Sequence, residues 1–432
     1  MFALSPRWQR GDPTDVDPYE ITKALDIPSV NIYHGMQDSF TGEEIAYMGA
    51  FVRSLKPSNY LVTETNAQTT GWSSEWQYPP YDGQLRLAAF ANVADGANLV
   101  AYWHWHSLHY GQETYWKGVL AHDLEPNRIY GEVTRIAQDL KKAGPDLVNL
   151  KKKNKVAILY SLDSINGLSF MPFDKNTNYQ TILNQFSRML YNLNVEADFL
   201  YPQSRNFEDY SLVIVPPLYI ASDELLDHLS AYVKNGGHIL MAFKSGFCNE
   251  NSTVRWTLAP GPLREPAGFY YQEFSNLAKP LALKGDPFKA GSENQVSVWA
   301  EFLIPEKAKP LAYYDHPFFG KYPAVTRNTY GKGTLTYEGT KLSDKLQEKL
   351  MREALSLAGI SLTDSLLPAP VKVKHAESAA GEPLHFYFNF SGRPQTFVYS
   401  YPDGIDLLSD KPIKKAQKIT LAPWDLIIVK VR

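Results

Sequence analysis

Glu64 closes the apolar run Tyr60-Leu-Val-Thr63, which is bounded by Pro57-Ser-Asn and Asn66-Ala-Gln and reads as a buried parallel-sheet strand. Water solvates a glutamate well, so a carboxylate at the mouth of a core strand needs a reason. One reason is chemistry, as a nucleophile or an acid/base group; the bland alternative is a solvated residue just past a strand end. Two further glutamates follow in aromatic loops, Glu75 and Glu113, with Trp72, Trp105 and Trp116 among them. Glu75 reads as a solvated loop residue. Glu113 suits hydrogen bonds from hydroxyl groups, because a charged acceptor strengthens such bonds. The indoles offer apolar faces, although Trp105, near a strand end, fits a core position equally well.

Other chemistries are weaker. His104, His106 and His109 have spacings of two and three residues, and 104 and 106 share one face of a strand. No carboxylate is placed to orient them, and a histidine at a strand end more commonly bonds a local carbonyl. Neither a metal nor a cofactor is expected. No Gly-x-Ser-x-Gly elbow occurs, and Gly331-Lys-Gly-Thr reads as a tight turn, not a phosphate loop. The single cysteine, Cys248, excludes a disulfide framework within one chain, and it lies five residues past its strand, too far for an elbow nucleophile. Asn249-Glu250 reads as structural.

The elements that would position these residues follow a regular order. Asp26–Tyr33, the Glu64 strand and Ala97–Trp105 read as strands. Helical patterns at 41–55, 84–96 and 127–150 follow them in turn, and Thr41 with Glu44 suits a capping box. Three such βα units fit the last part of a (β/α)₈ barrel, whose chemistry sits at the carboxyl ends of the strands. Residues 1–20 read as polar and Pro-rich. From Lys155 the texture changes to buried parallel strands at 156–160, 212–215 and 237–243 separated by helices, with Gly236-Gly237 ending the second helix. Residues 366–432 alternate in the manner of a small antiparallel β-sandwich.

Composition narrows the partners. The 432 residues carry a net charge of −3, so no basic field for nucleic acid or an anionic membrane is present. No apolar run is long enough to span a membrane, and the N-terminal apolar run is too short for a secretory signal. A cytoplasmic location is the expectation.

Taken in order, Glu64 at a strand end, Trp72, Gln84-Leu-Arg86, Tyr102-Trp-His-Trp105, Gln112-Glu113 and Gly118 resemble the carboxyl-terminal part of the catalytic barrel of glycoside hydrolase family 42 β-galactosidases. Gly236-Gly237-His-Ile-Leu, Asn249-Glu250-Asn251, His385-Phe-Tyr-Phe-Asn389 and Leu421-Ala-Pro-Trp-Asp-Leu-Ile-Ile-Val429 extend the likeness over most of the chain. The resemblance implies an α/β fold in three parts. Residues 1–150 would be the last units of the barrel, 151–360 a three-layer, glutamine-amidotransferase-like domain, and 361–432 the antiparallel domain. It implies a retaining glycosidase acting on a β-galactoside, with Glu64 as nucleophile and Trp72, Glu113, Trp116, Tyr33 and Trp105 around the sugar. Trp116 departs from the family, which commonly has a histidine there, and that bears on sugar specificity. The family's acid/base follows an Asn at the end of the fourth barrel strand, which would lie upstream of Met1. The barrel is therefore expected to be completed by another chain or by upstream sequence. The resemblance also implies a homotrimer through about residues 155–358. The alternative is an inactive, truncated paralogue that binds sugar or only assembles.

Overall fold

A computed structural model describes residues 3–4 and 16–432 of the chain. It divides into two compact units, one holding 18–153 with 363–432 and the other 154–362.

The first unit is built on four parallel strands in the order β1 (Ala3–Leu4), β2 (Ser29–Asn31), β3 (Tyr60–Asn66) and β4 (Ala97–Trp103). The sequence suggested three strands and a polar leader. The fourth is only two residues long, pairing Ala3 with Ser29 and Leu4 with Val30, too short to leave a periodic pattern. Helices α2 (Glu43–Leu55), α3 (Gln84–Ala94) and α4 (Arg128–Leu147) follow β2, β3 and β4; a short α1 (Pro18–Thr22) precedes β2. The expected capping box does not form. Gly42 takes the N-cap of α2 at φ 76° and offers no side chain. Every residue of α3 is buried, while α4 buries a single stripe of Ile129, Ile136, Ala143 and Leu147. Gly83, the N-cap of α3, has φ 92°, and a Cβ there would lie 2.4 Å from the Trp424 carbonyl oxygen. Only glycine fits that approach.

The second unit carries a seven-stranded mixed sheet. Strands β5 (Val156–Leu159), β6 (Ala197–Leu200), β7 (Leu212–Val215) and β8 (His238–Ala242) are parallel. Helices α5 (Leu162–Phe170), α6 (Tyr179–Asn192) and α7 (Asp223–Asn235) lie between them in sequence. A small second sheet holds β9 (Phe274–Leu281), β10 (Val296–Glu301) and β14 (Thr340–Leu342). Strands β11 (Lys309–Tyr313), β12 (Pro323–Tyr330) and β13 (Gly333–Glu338) complete the large sheet, and α8 (Asp344–Leu357) follows. The carboxyl-terminal part of the first unit is antiparallel. It has five strands, β15 (Val371–Glu377), β16 (Pro383–Asn389), β21 (Leu426–Val431), β18 (Gly404–Asp406) and β19 (Pro412–Ile413), beside the pair β17 (Gln395–Val398) and β20 (Lys418–Leu421). Among the described residues no helix is long and apolar enough to cross a membrane.

Glu338 marks a pH-sensitive joint in the second unit. It is 2% exposed, accepts a 2.7 Å hydrogen bond from Gln347 of α8, and burial pushes its carboxyl up to about 8. An unfolded glutamate titrates near about 4.3, so between about 4.5 and 8 the folded chain holds a proton that the unfolded chain has released. Stability from this group is full below that window and is lost as pH rises through it, by on the order of 5 kcal/mol. Glu338→Gln is neutral at every pH and keeps the acceptor for Gln347. The melting temperature of the variant, compared at pH 5 and pH 8.5, is expected to fall by several degrees less than that of the parent.

Candidate active site

Glu64 lies within β3, and the register of β3 breaks at that residue. Across β2, Val30 pairs with Val62 but Asn31 with Glu64; across β4, Val62 pairs with Val100 but Thr65 with Tyr102. Both neighbours therefore skip one residue of β3, and a bulge turns two successive side chains to one face. The contacts agree. Asn31 ends β2, and Tyr33 lies two residues past it. Thr63 Oγ1 donates to Asn31 Oδ1 at 2.8 Å, and Tyr33 Oη donates to Glu64 Oε2 at 2.9 Å. Without the extra residue, Glu64 would point opposite to Thr63, away from Tyr33.

The phenol and the carboxylate fit a donor–acceptor pair. Burial, then the hydrogen bond and charge of Glu64, then the charge of Glu113 hold the Tyr33 hydroxyl well above its ordinary range, so it stays protonated. Glu64 Oε1 takes no hydrogen bond from the described residues, leaving one oxygen fixed and one open. The ladder behind the pair is closed by Ile32, whose N–H donates to the Glu64 carbonyl at 2.9 Å. His34 N–H donates to Asn66 Oδ1, and Asn66 Nδ2 donates to the His34 carbonyl, both at 3.4 Å. His34 itself is buried, and burial lowers it to about 4, so it is neutral.

Three aromatic rings form a corner beside the pair. Tyr33 meets Trp72 at 4.9 Å and Trp116 at 5.4 Å, and Trp72 meets Trp116 at 5.4 Å, all edge to face. Trp72 is 52% exposed and presents a free face. Trp116 does not. It is 2% exposed, its Nε1 donates to the Trp103 carbonyl at 2.9 Å, and its Cβ lies 2.6 Å from where a Cβ on Gly71 would stand. Trp116 thus corrects the expectation of an open apolar face: it is the buried floor under Tyr33 and Trp72. Trp105 is exposed and not core, and its ring packs on Tyr130 of α4 at 6.2 Å. Glu113 is half-buried, with its charge felt at both Tyr33 and His104. Burial and His106 lower His104, against the pull of Glu113, so the ring is neutral. Glu75 is exposed in its turn, as expected.

The histidine run is spent on the loops. His106 Nδ1 faces the Ser107 carbonyl at 2.9 Å, His109 Nε2 the His122 carbonyl at 2.7 Å, and His122 Nε2 the Thr114 carbonyl at 2.9 Å. In the second unit, Asn249 Oδ1 accepts from the N–H groups of Asn251 and Thr253, so that segment is a turn, with Glu250 exposed. Sequence reasoning missed Asn31 and Thr63, although the spacing of Asn31 and Tyr33 was a usable signal.

Comparison with known proteins bears on this arrangement. A family model described as β-galactosidase matches residues 5–143, and one described as the β-galactosidase trimerisation domain matches residues 154–361. The chain belongs to glycoside hydrolase family 42. Within family 42, it is similar to β-galactosidase LacZ of Lactobacillus acidophilus, 27% identical over 96% of this chain and 61% of the relative. It is also similar to β-galactosidase BgaB of a Geobacillus species, 32% identical over 72% of this chain and 46% of the relative. The chain thus spans less than two thirds of the length of these relatives. It shares the fold of a solved β-galactosidase from Bacillus circulans sp. alkalophilus, with TM-score 0.88, 22% identity, and coverage of 97% of this chain and 62% of that one. The match includes the part-barrel, the α/β layer and the antiparallel end.

Trp72 gives a first functional test of this aromatic corner. Its exposed ring leaves little to lose in folding, whereas a sugar face stacked on it would lose about 1–2 kcal/mol of contact. If a sugar ring stacks on it, Trp72→Ala weakens that binding about tenfold, read by titration, with a melting temperature within about 2 °C of the parent. A large melting shift with unchanged binding would make Trp72 a packing residue.

Proposed function

We propose that this chain carries the nucleophile half of a retaining β-galactosidase site, with Glu64 as the attacking carboxylate. The observation that supports this reading most is the bulge in β3. It turns Glu64 onto the face of Tyr33, where one oxygen is held by a protonated phenol and the other is open. Retaining hydrolysis uses two carboxyl groups about 5–5.5 Å apart. Glu64 would attack the anomeric carbon; the second group would protonate the leaving oxygen and then activate water. That second group would come from another chain or from sequence preceding this one, which would also complete the barrel. Trp72 would stack on the sugar and Glu113 would accept from its hydroxyls, with Trp116 supporting both Tyr33 and Trp72 from below. The three-part division at about 150 and 360 and a homotrimer through about residues 155–358 belong to the same reading, as does a cytoplasmic location. The match to a trimerisation domain supports the assembly.

The reading can be tested without the second carboxylate. In 2-deoxy-2-fluoro-β-galactosyl fluoride the leaving group departs as fluoride and needs no proton. Attack by Glu64 breaks the C1–F bond and forms a glycosyl ester, which the C2 fluorine makes slow to hydrolyse. Mass analysis of the digested protein is expected to find one added sugar, on the peptide that holds Glu64. An adduct on Glu113 or Glu75 would overturn the assignment. A protein that binds methyl β-galactoside yet forms no adduct would be a sugar-binding paralogue.

A further inference from the structure

The second unit contains a group placed as nucleophiles are placed, in a position where the sequence suggested none. Strand β8 runs His238–Ala242, and two residues on Lys244 takes φ +63°, a left-handed conformation uncommon for a residue with a Cβ. Such outliers persist where the surroundings fix them. Here the Lys244 N–H donates to Glu301 Oε1 at 2.9 Å, and Glu301 Oε2, in a fully buried carboxyl, accepts from Tyr337 Oη at 2.7 Å. Ser245 Oγ donates to the Ala242 carbonyl at 2.7 Å and accepts from the Leu218 N–H at 3.1 Å. The turn is thus pinned to the segment after β7. Strained elbows at the carboxyl end of a sheet strand are where α/β folds present a nucleophile.

The side chain leads into an aromatic cage. Nζ lies 3.3 Å from the ring centre of Phe247, 3.5 Å from that of Phe274 and 5.0 Å from that of Trp299. Among the described residues no oxygen accepts a hydrogen bond from it. Lys244 is 5% exposed, but Phe274 is 42% exposed, so the cage opens on that side. Burial lowers the amine to about 8 despite the opposing charges of Glu301 and Cys248. The ring faces favour the ammonium and burial favours the free amine; a desolvated lysine, once neutral, is the form in which this residue attacks carbonyl carbon. Trp299 Nε1 is buried and donates to nothing among the described residues, and a carbonyl oxygen would satisfy it.

We propose that Lys244 is the nucleophile of a carbonyl-binding site in the 154–362 unit, one that takes a small aldehyde with an aromatic or apolar body. The neutral amine adds to the carbonyl carbon, forming a C–N bond and a carbinolamine. Loss of the carbonyl oxygen as water, with both amine protons, leaves the imine. No oxidant or reductant is consumed. The body of the aldehyde packs on Phe274 and Phe247.

The test uses the intact chain with benzaldehyde and sodium cyanoborohydride at pH 7, the hydride donor serving only to trap the imine as a benzylamine. Peptide mass analysis over time gives a rate for each lysine. Lys244 is expected to be benzylated at least about tenfold faster than Lys175 and Lys307, both exposed, and to lose that lead in urea. Phe274→Ala, at a half-exposed position that folding tolerates, readmits water to the cage and is expected to cut the lead by most of its size. Labelling of Lys244 no faster than that of Lys175 and Lys307 in the folded chain would overturn the site. A lead that survives Phe274→Ala unchanged would overturn the cage as its cause.

Discussion

Glu64→Gln is expected to abolish hydrolysis of a nitrophenyl β-galactoside by the assembled protein, by at least about 10³-fold in kcat/KM. The amide keeps the size of the side chain and still accepts from the Tyr33 hydroxyl, so the aromatic corner is left in place. What it loses is the negative charge that, in the proposed reaction, would make this oxygen attack C1. A variant that removes only a reacting group lowers kcat and leaves sugar affinity alone. KM or ligand-binding titration should therefore move less than about threefold, and the melting temperature should hold within about 2 °C. Activity surviving within about tenfold of the parent would put the nucleophile elsewhere. The neighbouring change sharpens the reading. Tyr33→Phe removes the 2.9 Å hydrogen bond but not the carboxylate, and so should cost far less than Glu64→Gln.

The position of Glu64 was legible because a strand leaves a strong trace: an apolar run, turn residues on both sides, and a carboxylate where none is needed for packing. Its aim was not. A bulge depends on the pairing of β3 with both neighbours, and no local residue announces it. The same limit explains Trp116. An indole three residues after a glutamate in an aromatic loop looks like a stacking face. Its burial comes from Gly71, which admits the ring, and from the Trp103 carbonyl, which takes its N–H; both are distant in sequence. The β1 strand was invisible for want of length. Lys244 leaves no trace in the sequence, because a left-handed φ at a lysine has no local signature.

Helix α3 shows how the α/β and antiparallel parts of the first unit depend on one charged side chain. Arg86 is 5% exposed in a helix with no solvent face. Its Nε donates to Asp139 of α4 at 2.7 Å, and its NH1 group donates to Asp425, just before β21, at 2.9 Å. One guanidinium thus bridges two carboxylates from elements more than 250 residues apart in the chain. Arg86→Met keeps much of the apolar stem and removes the charge. Asp139, 19% exposed, and Asp425, 38% exposed, then face each other with no cation between them. Breaking a buried pair by removing one partner costs about 3–5 kcal/mol, because the other is left charged and poorly solvated. Partial exposure of the aspartates, Asp425 above all, reduces that to about 2–4 kcal/mol. The melting temperature is expected to fall by about 5–12 °C, read by calorimetry. The double variant Arg86→Met/Asp139→Asn separates charge from packing. If stranded charge is the cause, removing one carboxylate recovers part of the loss; if Arg86 acts only by filling space, the second change adds its own cost and recovers nothing.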